Sequence, residues 1–315
     1  MKFRIIDSHC DTLNIMLNEH IDMKDTYNHV SFKGLEEGNI GIQVFAAWID
    51  AENTNYSPYG YAMALIDIFQ NLIAENTNML MNVLNYKDAK RALSSSKIGC
   101  LLAVEGGDAL NGSLENLDVL YNLGVRLMTL TWNNANEISA AIATDTSHDT
   151  GLTPFGRRVV SRMNELGMII DISHISQQGF WDVCEISNAP IVASHSNAKH
   201  ICKHRRNLDN EQIKAIAKSD GLIGINFYPP FLTDNNEADI EDILRHIDYI
   251  AGLVGIDYIG FGSDFDGIGS TPRGIAGPED FPKIIEGLLK LNYSEDQIMK
   301  ICNKNMMRVL KVSLK

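Results

Sequence analysis

Histidines and carboxylates interrupt otherwise apolar stretches of this 315-residue chain, and each interruption falls at the C-terminal end of its stretch. His9-Cys10-Asp11 closes the run at 3–9, Glu105 the run at 98–106, His174 the run at 168–174, His195 the run at 190–196 and Asp264 the run at 258–265. Imidazoles and carboxylates gathered without thiolates suit zinc or a related divalent ion, and a bridging carboxylate from a central strand lets two such ions sit about 3.5–4 Å apart. His9, Asp11, Glu105, His174 and His195 are therefore read as ligands, and Asp264 as the nearby carboxylate that accepts and returns a proton. A metal there lowers the pKa of its bound water from about 16 toward 7. His9 and Asp11 stand at i and i+2 on one strand, so both face the same way while Cys10 faces the other. One histidine at a strand end is most often structural. Coincidence at five ends is what carries the reading.

The elements that must deliver these residues are legible as eight runs: 3–9, 40–49, 98–106, 125–132, 168–174, 190–196, 222–228 and 258–265. Most are apolar at nearly every position, as strands buried on both faces of a parallel sheet are. Helical periodicity lies between them, at 154–166, 177–187, 209–219 and 240–254. Thr153-Pro154 marks a helix start and Ser294 to Gln297 fits a capping box. Alternating strands and helices imply a parallel sheet with right-handed crossovers, and eight of them a single (β/α)8 barrel over residues 1–315. In such a barrel the C-terminal strand ends meet at one mouth, where the active site lies. Spacers at 50–60, 133–152 and 266–280 read as loops over that mouth.

A net charge of −13 repels polyanions, which excludes nucleic acid as a partner. The five cysteines are odd in number, widely spaced and free of any CxxC pair, favouring reduced thiols and a cytoplasmic location. The first residues lack the apolar stretch of a signal peptide, and no run reaches the roughly 18 apolar residues of a membrane span, so no membrane association is expected. His29, His148, His200, His204 and His246 fall in loops or helices and are solvated by default. Arg205-Arg206 is by default an exposed pair, but so close to a metal site an arginine fork can take a substrate carboxylate bidentately.

Taken together these strings resemble the membrane (renal) dipeptidase family of zinc peptidases. The resemblance runs in order through DSHCDT at 7–12, AVEGGDAL at 103–110, GVRLMTLTWN at 124–133, GLTPFGRRVV at 151–160 and DISHIS at 171–176. It continues through ASHSNA at 193–198, RRN at 205–207, NFY at 226–228 and GFGSDFDG at 260–267. It implies two zinc ions bridged by Glu105, one with His9 and Asp11 and the other with His174 and His195. It further implies Asp264 as acid/base, Arg206 as partner of the dipeptide's carboxylate, Tyr228 among the substrate contacts, and a homodimer as the common assembly. One departure is clear. Where the family has LTH, with a histidine that polarises the scissile carbonyl, this chain has LTW, ending in Trp132, whose indole N–H donates once and cannot become cationic. Asn133, Asn134 or His148 are the replacements that the following loop offers.

The expectation is thus a dinuclear zinc dipeptidase, attacking L-L and L-D dipeptides through a metal-bridging hydroxide. Two alternatives stand beside it: hydrolysis of another small amide, such as a β-lactam or an N-acyl amino acid, and a metal-binding barrel without turnover.

Overall fold

The computed structural model describes residues 3–24, 28–52, 55–235 and 237–314. Nine strands occur among them: β1 (Ile5–Asp7), β2 (Ile40–Trp48), β3 (Leu80–Asn82), β4 (Ile98–Glu105), β5 (Val125–Thr129), β6 (Ile169–Asp171), β7 (Ile191–Ala193), β8 (Leu222–Ile225) and β9 (Ile259–Phe261). All neighbours pair in parallel in the order β2-β1-β9-β8-β7-β6-β5-β4-β3, and a further β2–β4 pairing closes the sheet on itself. The closed ring is made by the eight runs legible in the sequence. β3 adds only three residues, paired with the start of β4 outside the ring, and was too short to be seen as a run.

Alternation along the strands sorts side chains to the two faces. Ile42, Val44 and Ala46 of β2, with Leu101 and Ala103 of β4, Leu127, Ile169, Val192 and Leu222, fill the ring with a buried cluster that Met306, Val309 and Leu310 of the C-terminal helix complete. The other residues face outward under the helices, in a larger cluster around Phe45, Leu102, Val104 and Phe261. Helices at Pro154–Leu166 and Ile240–Val254 match the sequence pattern to the residue, and those at Gln177–Ile186 and Asn210–Lys218 to within one. Thr153 Oγ1 accepts from Gly156 N, and Ser294 and Gln297 form the reciprocal capping box. The 133–152 spacer holds only the short turn Thr146–His148 as helix, and of the 50–60 spacer Pro58 already begins a helix while residues 53 and 54 lie outside the described residues.

The solvated default is overturned most fully at His246. His246 is fully buried: its Nδ1 accepts from Ala198 N at 3.0 Å and its Nε2–H donates to Leu232 O at 3.1 Å. The ring thereby joins the loop after β7 to the segment after β8, and it was misjudged because helical position alone does not tell an inward face from an outward one. His29 and His204 are half-buried rather than solvated, accepting from Asp266 N at 2.9 Å and Arg206 N at 3.2 Å.

Burial holds the His246 pKa down to about 4, below its ordinary 6.5. The unfolded chain therefore takes up the extra proton between those values, so the stability contributed by a neutral His246 is complete above about pH 6.5 and lost toward pH 4. His246→Gln should lower stability at pH 7 and flatten the pH dependence between 6.5 and 4 relative to wild type, measured by urea unfolding; parallel pH profiles would contradict this role.

Candidate metal centre

Five sequence-selected side chains converge at the mouth of the ring, all of them buried: His9, Asp11, Glu105, His174 and His195. β1 ends at Asp7, but Cys10 continues its ladder, donating to Val44 O and accepting from Ala46 N, so His9 still lies on a strand-like path. His9 Nε2 stands 3.3 Å from Asp11 Oδ2 and 3.4 Å from Glu105 Oε2. Glu105 is the last residue of β4 and continues the inward face of Leu101 and Ala103. Its other oxygen, Oε1, lies 3.0 Å from His174 Nε2 and 3.4 Å from His195 Nε2. The two carboxylate oxygens thus face two different imidazole groups.

Hydrogen-bond arithmetic fixes the tautomers. Ser194 Oγ, with one proton to give, lies 2.5 Å from Asp171 Oδ2, and so accepts from His195 Nδ1 at 2.8 Å. Asn133 Oδ1 lies 3.0 Å from His174 Nδ1 and can only accept. With both Nδ1 atoms protonated, the Nε2 atoms carry lone pairs, yet they stand 3.0 Å apart and both face Glu105 Oε1. Three acceptors without a proton between them repel one another unless a cation lies among them. On the other side, His9 Nε2 and Asp11 Oδ1 are buried without a hydrogen-bond partner among the described residues. Glycine at 267 keeps that side open, since a Cβ there would lie 2.1 Å from Asp11 Oδ2 and 2.7 Å from Asp264 Oδ1. Glu105–His174–His195 and His9–Asp11–Asp264 each bring three ligand atoms within 4.8 Å of one another. The donor set fits divalent ions on both sides of Glu105.

Two buried carboxylates inside the apolar runs hold these loops. Asp171 accepts from Ser173 N and Oγ, Ser194 N and Oγ, and Thr129 Oγ1, and so pins the turns bearing His174 and His195. Burial would raise its pKa, but the adjoining His195 imidazole and the hydrogen bonds from Ser194 and Thr129 more than offset that and hold it below the usual range. Asp7 accepts from Ser263 N at 2.8 Å and Ser263 Oγ at 2.6 Å, fixing the turn that carries Asp264. His174, Asp264 and Asp266 all have left-handed backbones, with φ of 69°, 64° and 67°. Such backbone strain persists where surrounding bonds over-determine it, and often at functional sites.

Burial, opposed by His9 and reinforced by Asp11 and Glu105, pushes Asp264 up to about 8. Asn226 Nδ2 donates to its Oδ2 at 2.8 Å. Burial also opposes charge on His9, but Glu105 and Asp11 outweigh it and hold His9 well above its ordinary value.

Arg206 is buried, unlike the exposed Arg205, and corrects the default reading of an exposed pair. One of its amino groups donates to His195 O at 3.2 Å, while its Nε has no partner among the described residues. No carboxylate lies within ion-pair distance of it in the described structure. Arg206, Asn133, Tyr228, Trp132 and Asp264 line one cavity of about 390 Å³ with Asp11, Glu105 and His174. His148 is not brought there: it is exposed, with Nδ1 3.0 Å from Ser147 Oγ. Asn134 lines a neighbouring cavity instead. Missed by the sequence reading were Asp7, Asp171 and Ser194, although an aspartate within an otherwise apolar strand, two or three residues before a histidine, is a visible signal.

A family model described as membrane dipeptidase, peptidase family M19, matches residues 1–313. The chain belongs to that family. It is a metal-dependent dipeptidase. Its structure is similar to that of a metallo peptidase from Rhodobacter sphaeroides liganded with a phosphinate mimic of the dipeptide L-Ala-D-Ala, at 25% identity and a TM-score of 0.92 over 99% of both chains. It is similar also to dipeptidase AC, a metallo peptidase of family M19, at 26% identity and a TM-score of 0.93 over 100% of this chain and 99% of that one. The probable dipeptidase PvdM from Pseudomonas aeruginosa shares the fold, with a TM-score of 0.91 at 20% identity over 99% of this chain and 96% of that one. No helix among the described residues is long and apolar enough to cross a membrane.

Partners that orient metal-binding histidines typically contribute 10- to 100-fold to affinity. Ser194→Ala should therefore weaken zinc binding about 10- to 100-fold in competition with a chromophoric chelator, and Ser194→Thr should restore most of it. Unchanged affinity in Ser194→Ala would refute the tautomer assignment.

Proposed function

We propose that this M19 dipeptidase holds two zinc ions, with Glu105 between them, His9 and Asp11 on one side and His174 and His195 on the other. The observation that carries this is the meeting of the unprotonated Nε2 atoms of His174 and His195 with Glu105 Oε1 at 3.0 to 3.4 Å with no proton donor to reconcile them. Bound there, divalent ions would polarise a peptide carbonyl and acidify a water. Asp264, beside His9 and lining the same cavity, is the carboxylate placed to take a proton from the attacking water and pass it to the leaving amine. Arg206, buried and without a carboxylate partner, receives the dipeptide's C-terminal carboxylate, because a buried cation needs a counter-charge. Fixing that carboxylate selects substrates by length. Tyr228 lines the same cavity as a further substrate contact. Asn133 Oδ1 is engaged by His174, which makes Asn133 first an orienting residue and leaves only its amide N–H groups for a substrate oxygen.

The substrates proposed are L-L and L-D dipeptides, a reading supported by the L-Ala-D-Ala mimic on the Rhodobacter sphaeroides relative. Residues 1–315 are read as one barrel domain, acting as a homodimer as the family resemblance implies. The absence of disulfides among its five cysteines supports a cytoplasmic location.

His195→Ala should lose both zinc and dipeptide hydrolysis. Asp264→Asn should keep at least the ion at Glu105, His174 and His195, by metal analysis, while kcat falls about 10²- to 10⁴-fold. For Arg206, the wild type should favour a dipeptide over the same dipeptide amide, and Arg206→Met should abolish that preference. Metal-loaded protein inactive on a panel of L-L and L-D dipeptides would defeat the assignment.

A further inference from the structure

The position where the family histidine is replaced has a partner across the β4 strand end. Along β2, Ile42, Val44 and Ala46 face the inside of the ring, and Trp48 is the next residue of that face. Its Cα is in register with Glu105. Its backbone is clamped by Asn14, which accepts from Trp48 N at 3.1 Å and donates to Trp48 O at 2.8 Å. The indole meets that of Trp132 edge-on, with centroids 5.0 Å apart, and Trp132 in turn lies 6.2 Å from the His174 ring. Both tryptophans line the cavity that holds Glu105, Asp264 and Arg206, with Ile15 and Ile268 also contributing to its wall.

The ring order says which part of a substrate meets this wall. Going round the barrel as β1, β2, β4, β5, β6, β7, β8, β9, strand β2 stands opposite β7, and β4 opposite β8. Arg206 follows β7 and Tyr228 follows β8, whereas Trp48 ends β2 and Trp132 follows β5. A dipeptide anchored by its carboxylate at Arg206 therefore extends across the metal ligands with its amino-terminal residue toward the tryptophans. Phe231, at 5.6 Å from the Arg206 guanidinium, belongs to the carboxylate side.

We infer that Trp48 and Trp132 together form the subsite for the side chain of the dipeptide's amino-terminal residue, and that they select a large apolar one, above all an aromatic one. The inference rests on the reading of Arg206 as the carboxylate's partner. Edge-to-face rings favour a third ring, and each methylene removed from water is worth roughly fourfold in binding. Replacing histidine with Trp132 thus trades a polar contact for side-chain selection.

The test is kcat/KM of the zinc-loaded enzyme for Phe-Ala, Leu-Ala and Gly-Ala, with Ala-Phe and Ala-Gly as the reversed series. Phe-Ala should exceed Gly-Ala by tenfold or more, mostly through KM, while Ala-Phe and Ala-Gly differ much less. In Trp48→Ala and Trp132→His the Phe-Ala to Gly-Ala ratio should fall toward one. Wild-type turnover with a ratio near one, or a preference that follows the second residue, overturns the subsite while leaving the dipeptidase reading standing. So does a ratio that survives both substitutions. Absence of turnover on every dipeptide overturns both.

Discussion

The arrangement on which the rest of this molecule depends is the convergence of His174 Nε2, His195 Nε2 and Glu105 Oε1 within 3.0 to 3.4 Å. Lone pairs so close in a low-dielectric interior are unfavourable on their own, because each has been taken from water without a proton in return. Side chains remain in such a place only if the backbone and its outer hydrogen bonds hold them. The structure supplies both: short strands that end together at the barrel mouth, and Asp171, Ser194 and Asn133 behind the imidazoles. The same logic holds at the turn carrying Asp264, which Asp7 grips through Ser263. Buried carboxylates are costly, and Asp7 and Asp171 are each satisfied by several donors whose loops they position.

Beneath the site the ring is tightly closed. Cβ atoms at Gly262 and Gly224 would lie 1.7 Å and 2.0 Å from Ser194 O, so glycine is required where β8 and β9 approach the residue that orients His195. Ser8 Oγ lies 2.6 Å from both that carbonyl and Phe261 O, which share its single proton. The floor and the cluster of imidazoles and carboxylates are thus one packed unit, which limits how far any of those side chains can drift.

The ring strands and the helix limits were legible because burial on both faces leaves long apolar runs, and because caps such as Thr153 and Ser294 act locally. Glu105, His174, His195, His9 and Asp264 stood out by contrast with those runs. Trp48 did not, since an aromatic residue at the end of an apolar strand contrasts with nothing; only its period-two relation to Ala46 places it on the inner face. Asp7 and Asp171 lay inside runs that were judged by their ends. His246 could not be placed from one strand or helix, since its two partners, Ala198 and Leu232, come from different loops and only tertiary packing brings them to it.

The central claim is that Glu105 stands between two cations. Anomalous diffraction at the zinc edge, from crystals grown with zinc, addresses it most directly. Two peaks flanking the Glu105 carboxylate are predicted, one contacting His9 and Asp11 and the other His174 and His195. A single peak away from Glu105, or none in crystals of catalytically active protein, would contradict the account.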